Sequence, residues 1–80
     1  MTREEIRSTL LRCLHDVAPD LAEEEIKDDL DLRDELDLDS MDMLRWVQGI
    51  HKALSVEIPE EEYGNIATLE NAIDYVSARL

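Results

Sequence analysis

Three stretches of this chain repeat their apolar residues every three to four positions, and that spacing commits it to helices. Ile6, Leu10, Cys13, Leu14 and Val17 recur at +4, +7, +8 and +11, one face of an α-helix. Thr2 with Glu5 three residues on predicts a capping box at its start, and Pro19 stops it. A second helix is predicted from Asp39 or Ser40 to Leu54. At about 100° per residue, Met43, Trp46, Val47, Ile50 and Leu54 share one sector of roughly 100°. Met41, Leu44 and Gln48 fall on another sector roughly 130° away, so this helix is more apolar than one buried stripe requires. Thr68 can cap a last helix whose apolar face is Leu69, Ala72, Ile73, Val76 and Leu80. Pro59 and the acids around it predict a short third helix ending at Gly64. Two Gly and two Pro leave little turn chemistry for hairpins. The expectation is an all-α fold of three principal helices and one short one.

Eighty residues fit one domain, 1–80. Surface scaling gives roughly 4,900 Å² of accessible surface folded and roughly 13,300 Å² unfolded, enough burial for one modest core. With three aromatics (Trp46, Tyr63, Tyr75), that core must be aliphatic. The net charge of -13 repels nucleic acid and anionic membrane surfaces, so neither is expected as a partner. No apolar run approaches the ~20 residues needed to span a bilayer, and the polar start is unlike a signal peptide. One cysteine, Cys13, cannot make an internal disulfide and sits on an apolar stripe, where it reads as a small buried hydrophobe in a reducing compartment. A cytoplasmic monomer is the expectation.

Between the first two stripes the pattern changes. Leu21 and Ile26 can anchor a short helical turn, but Leu30, Leu32, Leu36 and Leu38 stand among acids without helical period. The segment 19–39 therefore reads as a long loop pinned to the core by leucines. Residues 21–42 hold eleven acids and two bases, a net of -9, against -1 for 1–20 and -3 for 43–80. A loop of about twenty residues in a small domain is more often functional than not.

Self-contained catalysis is disfavoured. The histidines are His15 and His51, and His51 lies 11 residues beyond Ser40, roughly 16 Å along one helix. A general base must stand about 3 Å from its hydroxyl. No nucleophile-elbow signature is present. Metals fare no better. Counted as a calcium loop from Asp29, position 6 is Asp34 where Gly is needed and position 12 is Ser40 where Glu is needed. One Cys and two scattered His do not make a zinc set. Loose divalent binding by clustered carboxylates stays open; no metal site is assigned.

Asp39-Ser40 is the informative pair. Either can simply cap the helix, as many Asp-Ser pairs do. Yet this serine follows an acidic loop, opens a helix with a spare apolar stripe, and sits beside free backbone N–H groups at the positive end of the helix dipole. A phosphodiester there would be electrostatically welcome. With no internal base, a separate enzyme must activate the hydroxyl.

Leu36-Asp37-Leu38-Asp39-Ser40-Met41-Asp42 resembles the attachment motif of acyl carrier proteins. Val56-Glu57-Ile58-Pro59-Glu60-Glu61 and Ala72-Ile73-Asp74-Tyr75-Val76 resemble that family's third- and fourth-helix segments, and the likeness spans essentially the whole chain. It implies a four-helix bundle that is a carrier and not an enzyme. It further implies 4′-phosphopantetheine, from coenzyme A, on Ser40, flanked by Asp39, Met41 and Asp42. Acyl groups would ride as thioesters in fatty-acid, lipid or polyketide-type biosynthesis. The implied partners are a phosphopantetheinyl transferase and loading, elongating or acyltransferase enzymes with basic patches. Partner docking is expected at Asp37, Met41, Leu44, Arg45, Gln48, Lys52, Glu60, Glu61 and Ile66. Trp46, Val47, Ile50, Leu54, Leu69 and Ile73 are expected around an acyl-chain cavity.

The sequence also departs from that family. Arg45, His51 and Lys52 stand where acids are usual, and the Trp46 indole replaces an aliphatic core residue. These changes point to a specialised carrier serving a dedicated pathway or one acyltransferase. Two alternatives stand beside it: a discrete peptidyl or aminoacyl carrier, and a small acidic helical interaction protein in which Ser40 is only a cap.

Overall fold

The computed structural model describes residues 1–80, the side chain of residue 23 apart. Four α-helices are formed: α1 (Arg3–Val17), α2 (Leu32–Leu36), α3 (Ser40–Leu54) and α4 (Leu69–Arg79). Short 3-10 helices cover Glu23–Glu25 and Glu60–Ile66. The accessible surface is 5033 Å², close to the value expected from length.

Capping residues set the boundaries of the long helices. At α1 the Glu5 N–H donates to Thr2 Oγ1 at 3.1 Å and the Thr2 N–H donates to Glu5 Oε1 at 2.9 Å, the predicted capping box. Those hydrogen bonds hold the Glu5 carboxyl below its ordinary range, the Thr2 backbone N–H contributing most. At α4 the Asn71 N–H donates to Thr68 Oγ1 at 3.1 Å, also as predicted. Ser55 ends α3 in the left-handed region, φ 58°, with its N–H on the His51 carbonyl at 2.8 Å.

The apolar stripes meet in one continuous core. Leu10, Leu14, Trp46, Ile50, Leu69 and Val76 lie at its centre with no measurable exposure. The Trp46 indole N–H donates to the Leu10 carbonyl at 3.0 Å, tying α3 to α1 without leaving a polar atom unmatched. Gly49 faces α1, where a Cβ would stand 3.4 Å from the Cys13 Cβ, an ordinary van der Waals contact. Cys13 is buried as predicted, and desolvation pushes its thiol pKa up.

Three expectations need correction. The segment 19–39 is more ordered than a loop pinned by leucines. Asp31 caps α2 by accepting from the N–H groups of Arg33 and Asp34, both at 3.0 Å. The Leu32 N–H donates to the Ala67 carbonyl at 2.8 Å, and Asp31 pairs with Thr68 in a single antiparallel bridge. Arg7 holds Asp28 at 3.0 Å. The spacing of Ile26, Leu32 and Leu38 carries no helical period because these side chains enter the core from separate short turns; all three are buried. The short third helix is a 3-10 helix that runs past Gly64 to Ile66. Gly64 has no positive φ and so does not act as a helix stop, while Ile66 draws the turn inward by burying completely. Leu80 lies beyond the end of α4 and is exposed. Tyr75 is buried on α4 instead; its hydroxyl donates to Glu62, and the Arg79 guanidinium lies 3.5 Å over its ring.

Candidate functional site

Ser40 is the first residue of α3, and the chain approaches it through a sharp reversal. Asp37 ends α2 in the left-handed region at φ 56°, a conformation Asp tolerates better than most side chains. The reversal sends Leu38 into the core and leaves Asp39 extended at the N-cap. Asp39 Oδ1 accepts from the Asp42 N–H at 2.9 Å, and Asp42 Oδ2 accepts from the Asp39 N–H at 3.3 Å. This second capping box occupies both flanking acids with the backbone. Ser40 itself is exposed, with its hydroxyl free of any capping duty. The N–H groups of Ser40 and Met41, at the first turn, have no carbonyl four residues back within the helix.

The hydroxyl opens onto a cleft of about 620 Å³ between α2, the start of α3 and the 60–67 segment. Leu38, Met43, Leu44, Tyr63 and Ala67 give it apolar walls. Its charged residues are Asp31, Asp34, Glu60 and the cation Arg33. Arg33 Nη2 stands 3.5 Å from Ser40 Oγ, a long contact. Burial and the Glu60 carboxylate, in that order, raise the Tyr63 phenol pKa, so it stays neutral at physiological pH.

The predicted site residues divide into three groups. Ser40, Met41, Leu44 and Glu60 come together at the cleft, with Asp37, Asp39 and Asp42 beside it. Met41 is 57% exposed and Leu44 38%, so the spare stripe of α3 does face solvent. Arg45, Gln48 and Lys52 are exposed further along the same helix, and Glu61 is exposed beside Glu60. Ile66, expected at the docking surface, is fully buried and takes no part in the surface as it stands. Trp46, Val47, Ile50, Leu69 and Ile73 are packed in the core with Leu54 half-buried at its edge, and none of the six lines the cleft beside Ser40. Sequence reasoning missed Arg33, Tyr63 and Met43 as cleft residues. The available signal was Arg33 itself, one of only two bases in the acidic stretch, seven residues before the serine.

No group of three or more potential metal ligands converges among the described residues. None of the described helices is long and apolar enough to cross a membrane.

The geometry suits a phosphodiester-linked arm: an exposed hydroxyl, unspent N–H groups, one adjacent guanidinium and an apolar cleft. Comparison with known proteins agrees. The family described as "Phosphopantetheine attachment site" matches residues 8–76. An acyl carrier protein of Rubrobacter xylanophilus is 34% identical over 79 residues, covering 95% of this chain and 93% of its own length. The chain therefore belongs to the acyl carrier family, whose prosthetic group is 4′-phosphopantetheine.

Proposed function

We propose that Ser40 is the attachment residue and that the protein holds acyl intermediates as thioesters without catalysing a reaction itself. The observation behind this is the exposed Ser40 hydroxyl at the mouth of the cleft, with both neighbouring acids engaged in capping. In the loading step the Ser40 oxygen forms a bond to the pantetheine-bearing phosphorus of coenzyme A. Adenosine 3′,5′-bisphosphate leaves, and the serine proton passes to a base of the transferase, since no histidine of this chain is near in sequence. Once attached, the arm supplies a terminal thiol for thioester chemistry.

This chain's own residues then act by presentation. A tethered intermediate meets successive enzymes at high effective concentration. The acidic surface around Asp37, Glu60 and Glu61 steers basic docking patches and gives fast, salt-sensitive, short-lived contacts. Met41 and Leu44 form the apolar centre of that contact. Arg45 and Lys52, exposed on α3, restrict the partners to enzymes whose surface accepts positive charge there. Trp46 fills the core that an acyl chain would otherwise enter, so we assign the protein to a dedicated biosynthetic pathway of the fatty-acid, lipid or polyketide type. A cytoplasmic, monomeric protein fits these roles.

Incubation with coenzyme A and a phosphopantetheinyl transferase tests the attachment. The intact mass should rise by one phosphopantetheine, and Ser40→Ala should abolish the gain. A modified Ser40→Ala protein would place the arm elsewhere.

A further inference from the structure

The cleft beside Ser40 contains one cation, Arg33, among several carboxylates. Arg33 stands in an acidic run, with Asp31, Asp34 and Glu35 as close sequence neighbours. Yet among the described residues its guanidinium, like those of Arg12 and Arg45, has no ion pair within 4.0 Å, whereas Arg3, Arg7 and Arg79 hold Asp74, Asp28 and Glu62. Its side-chain contact is with the neutral Ser40 hydroxyl at 3.5 Å. The capping of α2 bears on this: the Asp31 carboxylate accepts from the backbone N–H groups of Arg33 and Asp34, and the Arg33 side chain reaches toward the first residue of α3.

The positive end of the α3 dipole favours a phosphodiester on Ser40, but the carboxylates around the cleft oppose it. Asp31, Asp34, Asp37, Asp39, Asp42 and Glu60 all lie on or beside the cleft, and the local net charge is strongly negative. Helix-dipole stabilisation at an exposed terminus is small and falls off within the first turn. Arg33 is the one cation among the residues lining the cleft. The phosphorus would stand a single bond beyond the oxygen that lies 3.5 Å from Arg33 Nη2. A planar guanidinium then has two phosphate oxygens to meet, a geometry it matches better than an ammonium does.

We infer that Arg33 is a positioning residue for the prosthetic arm, pairing with the Ser40 phosphodiester and holding the arm's base in the cleft until a partner surface displaces it. The inference rests on the Ser40 attachment proposed above and adds a specific recognition residue to it. Arg33 acts on the arm's orientation and not on thioester chemistry. Lys at this position should keep the charge and lose the paired contact.

The test uses full-length protein in apo and transferase-loaded forms, as the parent, Arg33→Gln and Arg33→Lys. NMR reads the Arg33 Nε–H resonance and the relaxation of the pantoyl methyl groups. Loading should move the Arg33 resonance downfield in the parent. In Arg33→Gln the docked fraction of the arm should fall roughly two- to fivefold, the range of an exposed charged pair, with Arg33→Lys in between. Unchanged Trp46 emission in the variants would show that the fold is intact. Complete loading with no Arg33 shift and identical arm relaxation in all three proteins would overturn the role of Arg33 while leaving Ser40 as the attachment point. No loading of the parent at all would overturn the attachment, and with it this inference.

Discussion

Trp46 joins stability and function in one side chain, and Trp46→Phe separates its two contributions. The indole has no measurable exposure and donates to the Leu10 carbonyl at 3.0 Å. Leu10 lies inside α1, so its carbonyl keeps its helical partner when the indole N–H is removed, and no buried acceptor is orphaned. The hydrogen-bond loss is then about 0.5–1.5 kcal/mol. Replacing the bicyclic ring by phenyl leaves unfilled space that costs on the order of another 1 kcal/mol. The sum, about 1.5–2.5 kcal/mol, is a large share of the roughly 4–12 kcal/mol available to 80 residues. It corresponds to a fall in Tm of about 6–20 °C. Thermal melts followed by far-UV circular dichroism measure it, since the variant has no tryptophan to report. A fall below about 2 °C would refute the anchoring of α3 to α1 through this contact. The functional contribution is read in Trp46→Leu, which opens the core. In the parent, extending the carried chain from hexanoyl to decanoyl should leave the methyl resonances of Ile50, Leu69 and Ile73 in place. In Trp46→Leu those resonances should follow chain length. Core methyls of the parent that shift with chain length as they do in Trp46→Leu would remove Trp46 as the limit on sequestration.

Other positions give sharper single tests. Gly49→Ala should raise stability by about 0.5–1 kcal/mol, because the new Cβ meets Cys13 at an ordinary 3.4 Å while the helix loses a glycine; a lower urea midpoint would mean that α1 and α3 pack closer than this. Arg45→Glu with Lys52→Glu should improve turnover by housekeeping fatty-acid enzymes, and no gain would show that these cations do not set partner choice. Cys13 is buried with a raised pKa, so apo protein should react slowly with a thiol reagent and loaded protein should show one fast thiol. A fast thiol in the apo form would place Cys13 at the surface.

The long helices were legible because each one announces itself twice, by a 3.6-residue stripe and by a cap. Thr2–Glu5 and Thr68 behave as their sequence context predicts, and Ser40–Leu54 begins and ends where periodicity puts it. The region 19–39 was not legible at that level. Its order comes from contacts far apart in sequence, such as Leu32 with Ala67 and Arg7 with Asp28, which leave no local period. The same cause hid part of the site. Asp39-Ser40 stood out from its own surroundings, whereas the cleft needs Arg33 from α2 and Tyr63 from the 60–66 turn, brought together only by the fold. Ile66 shows the converse: the family likeness implied a docking residue, yet its side chain fills the core under the turn.

The attachment itself has a direct test that the sequence makes unambiguous. Trypsin cleaves after Arg33 and Arg45, and Ser40 is the only hydroxyl-bearing residue in the resulting peptide 34–45. After treatment with coenzyme A and a transferase, tandem mass spectrometry should find the whole phosphopantetheine increment on that peptide. Finding peptide 34–45 unmodified, or the increment on any other peptide, would contradict the account.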